Sequence, residues 1–130
     1  MNTDYIYTIL IVDDSENNLN LLSQILSFDE FKIVKAQDAN EALEFLEQFS
    51  PDLILLDLMM PEMNGFELLS VLKNNPLRSA IPVIVVTART DDHDRYECFR
   101  LGAADFITKP VIIEDLLNRI STILQIEIEM

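Results

Sequence analysis

Four short apolar runs each end in a polar side chain: Thr8-Ile-Leu-Ile-Val12 in Asp13 and Asp14, Leu53-Ile-Leu-Leu56 in Asp57, Val83-Ile-Val-Val86 in Thr87, and Phe106-Ile-Thr108 in Lys109. The runs are rich in Ile and Val, and amphipathic stretches separate them, the alternation expected of βαβ units around a parallel sheet. Parallel strands share one edge at their carboxyl ends, and open α/β sheets bind ligands in the crevice outside that edge. Three carboxylates, a hydroxyl and an ammonium then face one small volume. Like charges that close repel, so the cluster persists only if a cation and the lysine offset it. The pattern implies a divalent metal site around an aspartate.

Five strand-helix pairs fit the chain. Leu19, Leu22 and Leu26 recur at helical spacing and predict a helix near 16–27 after the first strand. Phe31-Lys-Ile-Val-Lys35 alternates instead, as a half-exposed strand at a sheet edge does. Asp38-Ala-Asn-Glu41 resembles a capping box, with Ala42, Leu43, Leu46 and Phe49 as the buried stripe of the second helix. Asn64, with Glu67 three residues on, predicts the start of the third helix, which gives out at Asn74-Asn75-Pro76. The fourth helix has the weakest pattern: Thr90 is its candidate cap, Tyr96 and Phe99 share a face, and Gly102 ends it. The fifth carries Ile113, Leu116, Leu117, Ile120, Ile123 and Leu124 at regular helical spacing, but Val111-Ile112-Ile113 offers no capping side chain.

A chain of 130 residues reads as one domain, here 1–130 with its core at about 8–124, and no repeat or Gly/Ser linker divides it. With 9 basic and 23 acidic residues the formal charge is −14, a field that repels a phosphate backbone, so direct nucleic-acid binding is not expected. The lone cysteine, Cys98, cannot form an internal disulfide and reads as a packed thiol. Met1-Asn-Thr-Asp-Tyr5 lacks a basic leader, and no apolar run approaches the ~18 residues that span a bilayer. The expectation is a soluble, cytoplasmic protein without a membrane partner; any output domain is expected beyond the C-terminus.

Taken together, Val12-Asp13-Asp14, the stretch Leu56-Asp57-Leu58-Met59-Met60-Pro61-Glu62-Met63-Asn64-Gly65, Val86-Thr87-Ala88 and Thr108-Lys109-Pro110 strongly resemble the receiver domains of two-component response regulators. The resemblance runs from about residue 8 to residue 124. It implies a flavodoxin-like, doubly wound five-stranded parallel sheet in the order 2-1-3-4-5. It also implies that Asp57 accepts a phosphoryl group from a phosphohistidine, assisted by Lys109 and Thr87. By the same resemblance Asp14 and Asp57 bind Mg²⁺ directly, Asp13 binds it through water, the Met59 carbonyl is a further ligand, and Mn²⁺ can replace Mg²⁺. Thr87 and Phe106 are the implied switch pair, although Phe106 lacks a hydroxyl. Met59 and Arg89 occupy positions that vary among receivers and are associated with the lifetime of the phosphoryl group. The implied partners are a sensor histidine kinase or histidine phosphotransfer protein, then a downstream effector or output domain, with a phosphorylation-dependent dimer as a further form. The output surface is expected on the fourth helix, fifth strand and fifth helix, with Asp94 and Arg95 exposed there.

Elementary chemistry agrees with these roles. Mg²⁺ prefers octahedral oxygen coordination and keeps several waters, so two carboxylates and a carbonyl leave room for a phosphoryl oxygen. Phosphoryl transfer spreads charge over three equatorial oxygens, which a cation, an ammonium and a hydroxyl can each meet. Ala88 is small and leaves a path for the donor. A cis Lys109-Pro110 bond is expected, because the ammonium must turn back toward Asp57 straight after a strand and the receivers that the chain resembles are alike in this turn. A haloacid-dehalogenase-type hydrolase needs a second acid where this chain has Met59, and a flavodoxin needs a phosphate loop where it has Asp13-Asp14-Ser15-Glu16. A receiver-like interaction module that works without phosphorylation usually loses an acid or the lysine, and all are present. His93, among Asp91, Asp92 and Asp94, reads as part of a solvated helix face.

Overall fold

Each apolar run becomes a strand: β1 is Tyr7–Val12, β2 Phe31–Ala36, β3 Leu53–Leu56, β4 Val83–Thr87 and β5 Asp105–Thr108. The structure is a computed structural model and describes residues 5–89 and 91–128. All four pairings are parallel, in the order β2-β1-β3-β4-β5. The crossovers are α1 (Glu16–Ile25), α2 (Ala39–Gln48), α3 (Gly65–Lys73) and α4 (Asp92–Arg100), and α5 (Ile113–Leu124) follows the last strand.

Because side chains alternate along a strand, the sheet sorts the apolar runs into two cores. Ile9, Ile11, Leu53, Leu55, Ile84, Val86 and Ile107 face α1 and α5, packing on Leu19, Leu22, Leu116, Leu117 and Ile120. Leu10, Val12, Ile54, Leu56, Val83, Val85 and Phe106 face the other side, against Ala42, Leu46, Leu68, Leu69, Leu72 and Cys98 of α2, α3 and α4. β1, β3 and β4 are buried on both faces and carry unbroken apolar runs, whereas edge strand β2 exposes Lys32 and Lys35.

Local chemistry explains the helix ends. Asn64 and Glu67 form a complete capping box on α3, with the Asn64 side chain accepting from the Glu67 N–H at 3.0 Å and Glu67 accepting from the Asn64 N–H at 3.1 Å. The expected box on α2 is half formed: Asp38 accepts from the Glu41 N–H, but the Glu41 carboxylate takes the Gln37 N–H at 2.7 Å instead of the cap's own. Gly102 closes α4 at φ +106°, a conformation L side chains rarely adopt. α5 begins without a side-chain cap, as its sequence predicts.

Several expectations need correction. α1 stops at Ile25, with Leu26 buried as its cap. Phe49 leaves the buried stripe because α2 ends at Gln48 and the backbone turns extended; its ring is exposed and stacks on Phe45. Ile113 is exposed, since a side chain at a helix's first position covers the loop before it, not the packed turns after it. On α4 the buried face is Asp94 and Cys98, leaving Tyr96 and Phe99 exposed. Asp94, expected on the surface, is therefore inside. The candidate cap Thr90 lies outside the described residues, and the N-cap is Asp91, which accepts from the His93 N–H at 2.8 Å.

Candidate functional site

The ladder hydrogen bonds run one residue past the strands and so place the polar side chains. The Asp13 N–H donates to the Ala36 carbonyl, the Asp57 N–H to Val12 and the Lys109 N–H to Thr87, at 2.8 to 3.1 Å. Each side chain is thereby held rigidly at the carboxyl edge of the sheet. Lys109-Pro110 is cis, as expected.

Lys109 Nζ sits 2.7 Å from Asp13 Oδ2 and 2.9 Å from Asp57 Oδ2, tying together residues from both ends of the chain. The other oxygens are also held: Asp13 Oδ1 accepts from the Ser15 N–H at 2.9 Å and Asp57 Oδ1 from the Met59 N–H at 3.1 Å. Asp13 and Asp57 are buried, while Asp14 is exposed at the rim. Burial by itself would lower the Lys109 pKa, but the hydrogen bonds and charges of Asp13 and Asp57 outweigh it and raise the ammonium above its ordinary value.

Asp13, Asp14 and Asp57 each offer an oxygen within 4.8 Å of the others. One ammonium against three carboxylates leaves two negative charges uncompensated, and an all-oxygen donor set suits a hard divalent cation. The acidic pocket thus fits a Mg²⁺ site.

Thr87 is fully buried, and its hydroxyl accepts from the Arg89 N–H at 3.3 Å. Phe106 is buried too, with the Arg95 guanidinium 4.9 Å over its ring. Ala88 and Met59 are exposed at the mouth. The Arg89 guanidinium pairs with Asp94, Nε to Oδ2 at 2.7 Å, and lies over the Phe66 ring. Two residues join the site to which the sequence reading gave no role there. Gly65 packs against Asp57, and a Cβ there would lie 2.4 Å from the Asp57 carbonyl oxygen; its signal was its place at the first turn of a capped helix. Asp94 had none, since an acid in an acidic segment looks solvated.

The profile of the response regulator receiver domain family matches residues 9–121, and the chain belongs to that family. It is 45% identical over 118 residues to a protein of Vibrio cholerae named "probable cyclic di-GMP phosphodiesterase", covering 91% of this chain and 26% of that one. It is 38% identical to protein PilH of Pseudomonas aeruginosa, covering 89% of this chain and 96% of PilH. The structure of the signal receiver domain of a signal transduction histidine kinase from Syntrophus aciditrophicus superposes with a TM-score of 0.84 at 37% identity, covering 92% of this chain and 90% of that one. The chain thus spans about a quarter of the first relative (26%) and nearly all of the second (96%). Its function is that of a receiver, a phosphoryl acceptor in two-component signalling. Among the described residues no helix is long and apolar enough to cross a membrane.

Proposed function

We propose that Asp57 is the phosphoryl acceptor and that residues 1–130 act as a single receiver unit. The observation that carries this reading is the Asp57 carboxylate, fixed at the end of β3 by the Met59 N–H and by Lys109, beside Asp13. An Asp57 oxygen attacks phosphorus, the P–N bond of a donor phosphohistidine breaks, and its electron pair leaves on the imidazole nitrogen. Lys109 neutralises one phosphoryl oxygen and the Thr87 hydroxyl bonds another. Asp14 and Asp57 would hold Mg²⁺ or Mn²⁺ directly, Asp13 through water, and the Met59 carbonyl would complete the protein's share. The cation supplies charge neutralisation at the transferring group. The chain is an acceptor that assists its own phosphorylation and dephosphorylation, not a turnover enzyme.

The donor on this reading is a sensor histidine kinase or histidine phosphotransfer protein, and the setting is the cytoplasm. Thr87 and Phe106 pass the change to α4, β5 and α5, where an effector, an output domain or a second copy binds. Met59 and Arg89 set the lifetime: Met59 cannot orient a water, and an Arg89 guanidinium that bonds a phosphoryl oxygen obstructs one. Incubation with acetyl phosphate and Mg²⁺, read by intact mass, tests the assignment. The parent should gain one phosphoryl group and Asp57→Asn none; undiminished labelling of Asp57→Asn sinks it. Adding beryllofluoride should shift amides across residues 87–109.

A further inference from the structure

Asp94 is a carboxylate with 6% exposure on the inner face of α4, one turn from Cys98. Its charge is met by Arg89, yet Oδ2, although 2.7 Å from Nε, lies off the line of the N–H and has no hydrogen-bond partner among the described residues. The exposed His93 ring stands farther off, with Nδ1 4.0 Å from Oδ1. Among the described residues Asp94 therefore depends on one arginine, through an imperfectly directed contact.

That arginine pivots at the phosphoryl-accepting edge. Its backbone N–H donates to the Thr87 hydroxyl, and its guanidinium lies 5.7 Å over Phe66, the neighbour of the glycine that packs against Asp57. A phosphoryl group offers a guanidinium more charge and bidentate geometry than a single off-axis carboxylate oxygen.

We propose that Arg89 is a two-position residue and that Asp94 is the positioning residue holding it at rest. On phosphorylation Arg89 transfers from Asp94 to the phosphoryl oxygens. Asp94 is then a buried carboxylate without a counter-charge, which burial penalises strongly. The first turn of α4 moves to hydrate it. The helix bearing the exposed Tyr96 and Phe99 is thus released by electrostatics, alongside any movement of Phe106. This inference rests on Asp57 as the acceptor.

The test uses the full chain. Labelling by acetyl phosphate with Asp57→Asn as control comes first, and label retained in that variant overturns the acceptor reading and the switch together. Phosphoform decay in saturating Mg²⁺ is then compared for the parent, Asp94→Asn, Arg89→Gln and the double variant. Relieved of its competitor, Arg89 stays on the phosphoryl group, so Asp94→Asn slows decay by about tenfold. The same substitution has no effect once residue 89 is Gln. A merely structural Asp94 would alter decay equally in both backgrounds, and that equality overturns the switch alone. A second readout leaves α4 unsubstituted: the Arg89 side-chain Nε–H resonance, assigned by its loss in Arg89→Gln, moves on adding beryllofluoride with Mg²⁺, together with the amides of residues 91–95. An Arg89 resonance that stays fixed while the Thr87 amide shifts also overturns it.

Discussion

A methyl group on Gly65 has nowhere to go, because the nearest atoms are the Asp57 carbonyl oxygen at 2.4 Å and the Leu58 Cα at 2.6 Å, both backbone. Gly65→Ala gains helix propensity of at most ~1 kcal/mol. Overpacking against backbone costs about 1–3 kcal/mol. The clash wins: a lower urea midpoint is expected, by roughly 1–2 kcal/mol, with weaker phosphorylation because Asp57 is displaced. An unchanged midpoint would show that the α3 turn yields freely. Cys98 gives a pH-dependent expectation at the same scale. Burial pushes its thiol from 9.0 up to about 11, and the charges of Asp94 and Glu97 add to the shift. Between those values the unfolded chain releases a proton that the folded chain keeps, so stability falls as pH rises from 9 toward 11 and is unaffected below. Iodoacetamide at pH 8 should leave native Cys98 intact and modify it in urea; labelling of the native chain at a free-thiol rate would contradict its burial. The acids, Thr87 and Lys109 were legible as residues because each follows an apolar run. Asp94 was not, because nothing local tells a buried acid from a solvated one; only the position of Arg89 in space does.

At the scale of elements, legibility followed the strength of periodicity. α5, with its regular apolar stripe, was readable almost to the residue. α4 was not, since its inner face is an aspartate and a cysteine and its largest apolar side chains point outward. Phe49 and Ile113 were both misplaced at helix ends: Phe49 lies one residue past α2, and Ile113, at the first position of α5, covers the loop before it. The missing cap of α5 is correctable. Ile112 is the N-cap, is exposed, and has extended backbone angles suited to a capping hydroxyl. Ile112→Ser should raise stability by about 1 kcal/mol, measured by thermal or urea unfolding. Asn64→Ala should lower it by about the same amount, since it removes half of the complete box on α3. A neutral Ile112→Ser would show that water already satisfies those N–H groups.

For the molecule as a whole, a net charge of −14 means that any added cation relieves general repulsion as well as filling a site. The two effects separate experimentally. NaCl at matched ionic strength should raise the unfolding midpoint slightly in the parent and in Asp57→Asn alike. Mg²⁺ should raise the parent further, by about 2.7 kcal/mol at ~100 times its dissociation constant, and this increment should be lost in Asp57→Asn. Equal responses to Mg²⁺ would mean that the acidic pocket only screens. The five strands and the half-exposed edge strand were legible in apolar runs and their alternation, and the strand order was implied by the family resemblance; which face each helix covers was settled by crossovers that no single segment encodes.

The contact between Lys109 and Asp13 spans 96 positions of the chain, and that between Lys109 and Asp57 spans 52. The ammonium arrives directly after the last strand, later in the chain than both acids it joins. A ribosome making this protein from its amino end therefore exposes the acids first and their counter-charge long afterwards. Every nascent or truncated chain ending before residue 109 carries these carboxylates without the ammonium that ties two of them together, so the acidic pocket closes only once the last strand has been made.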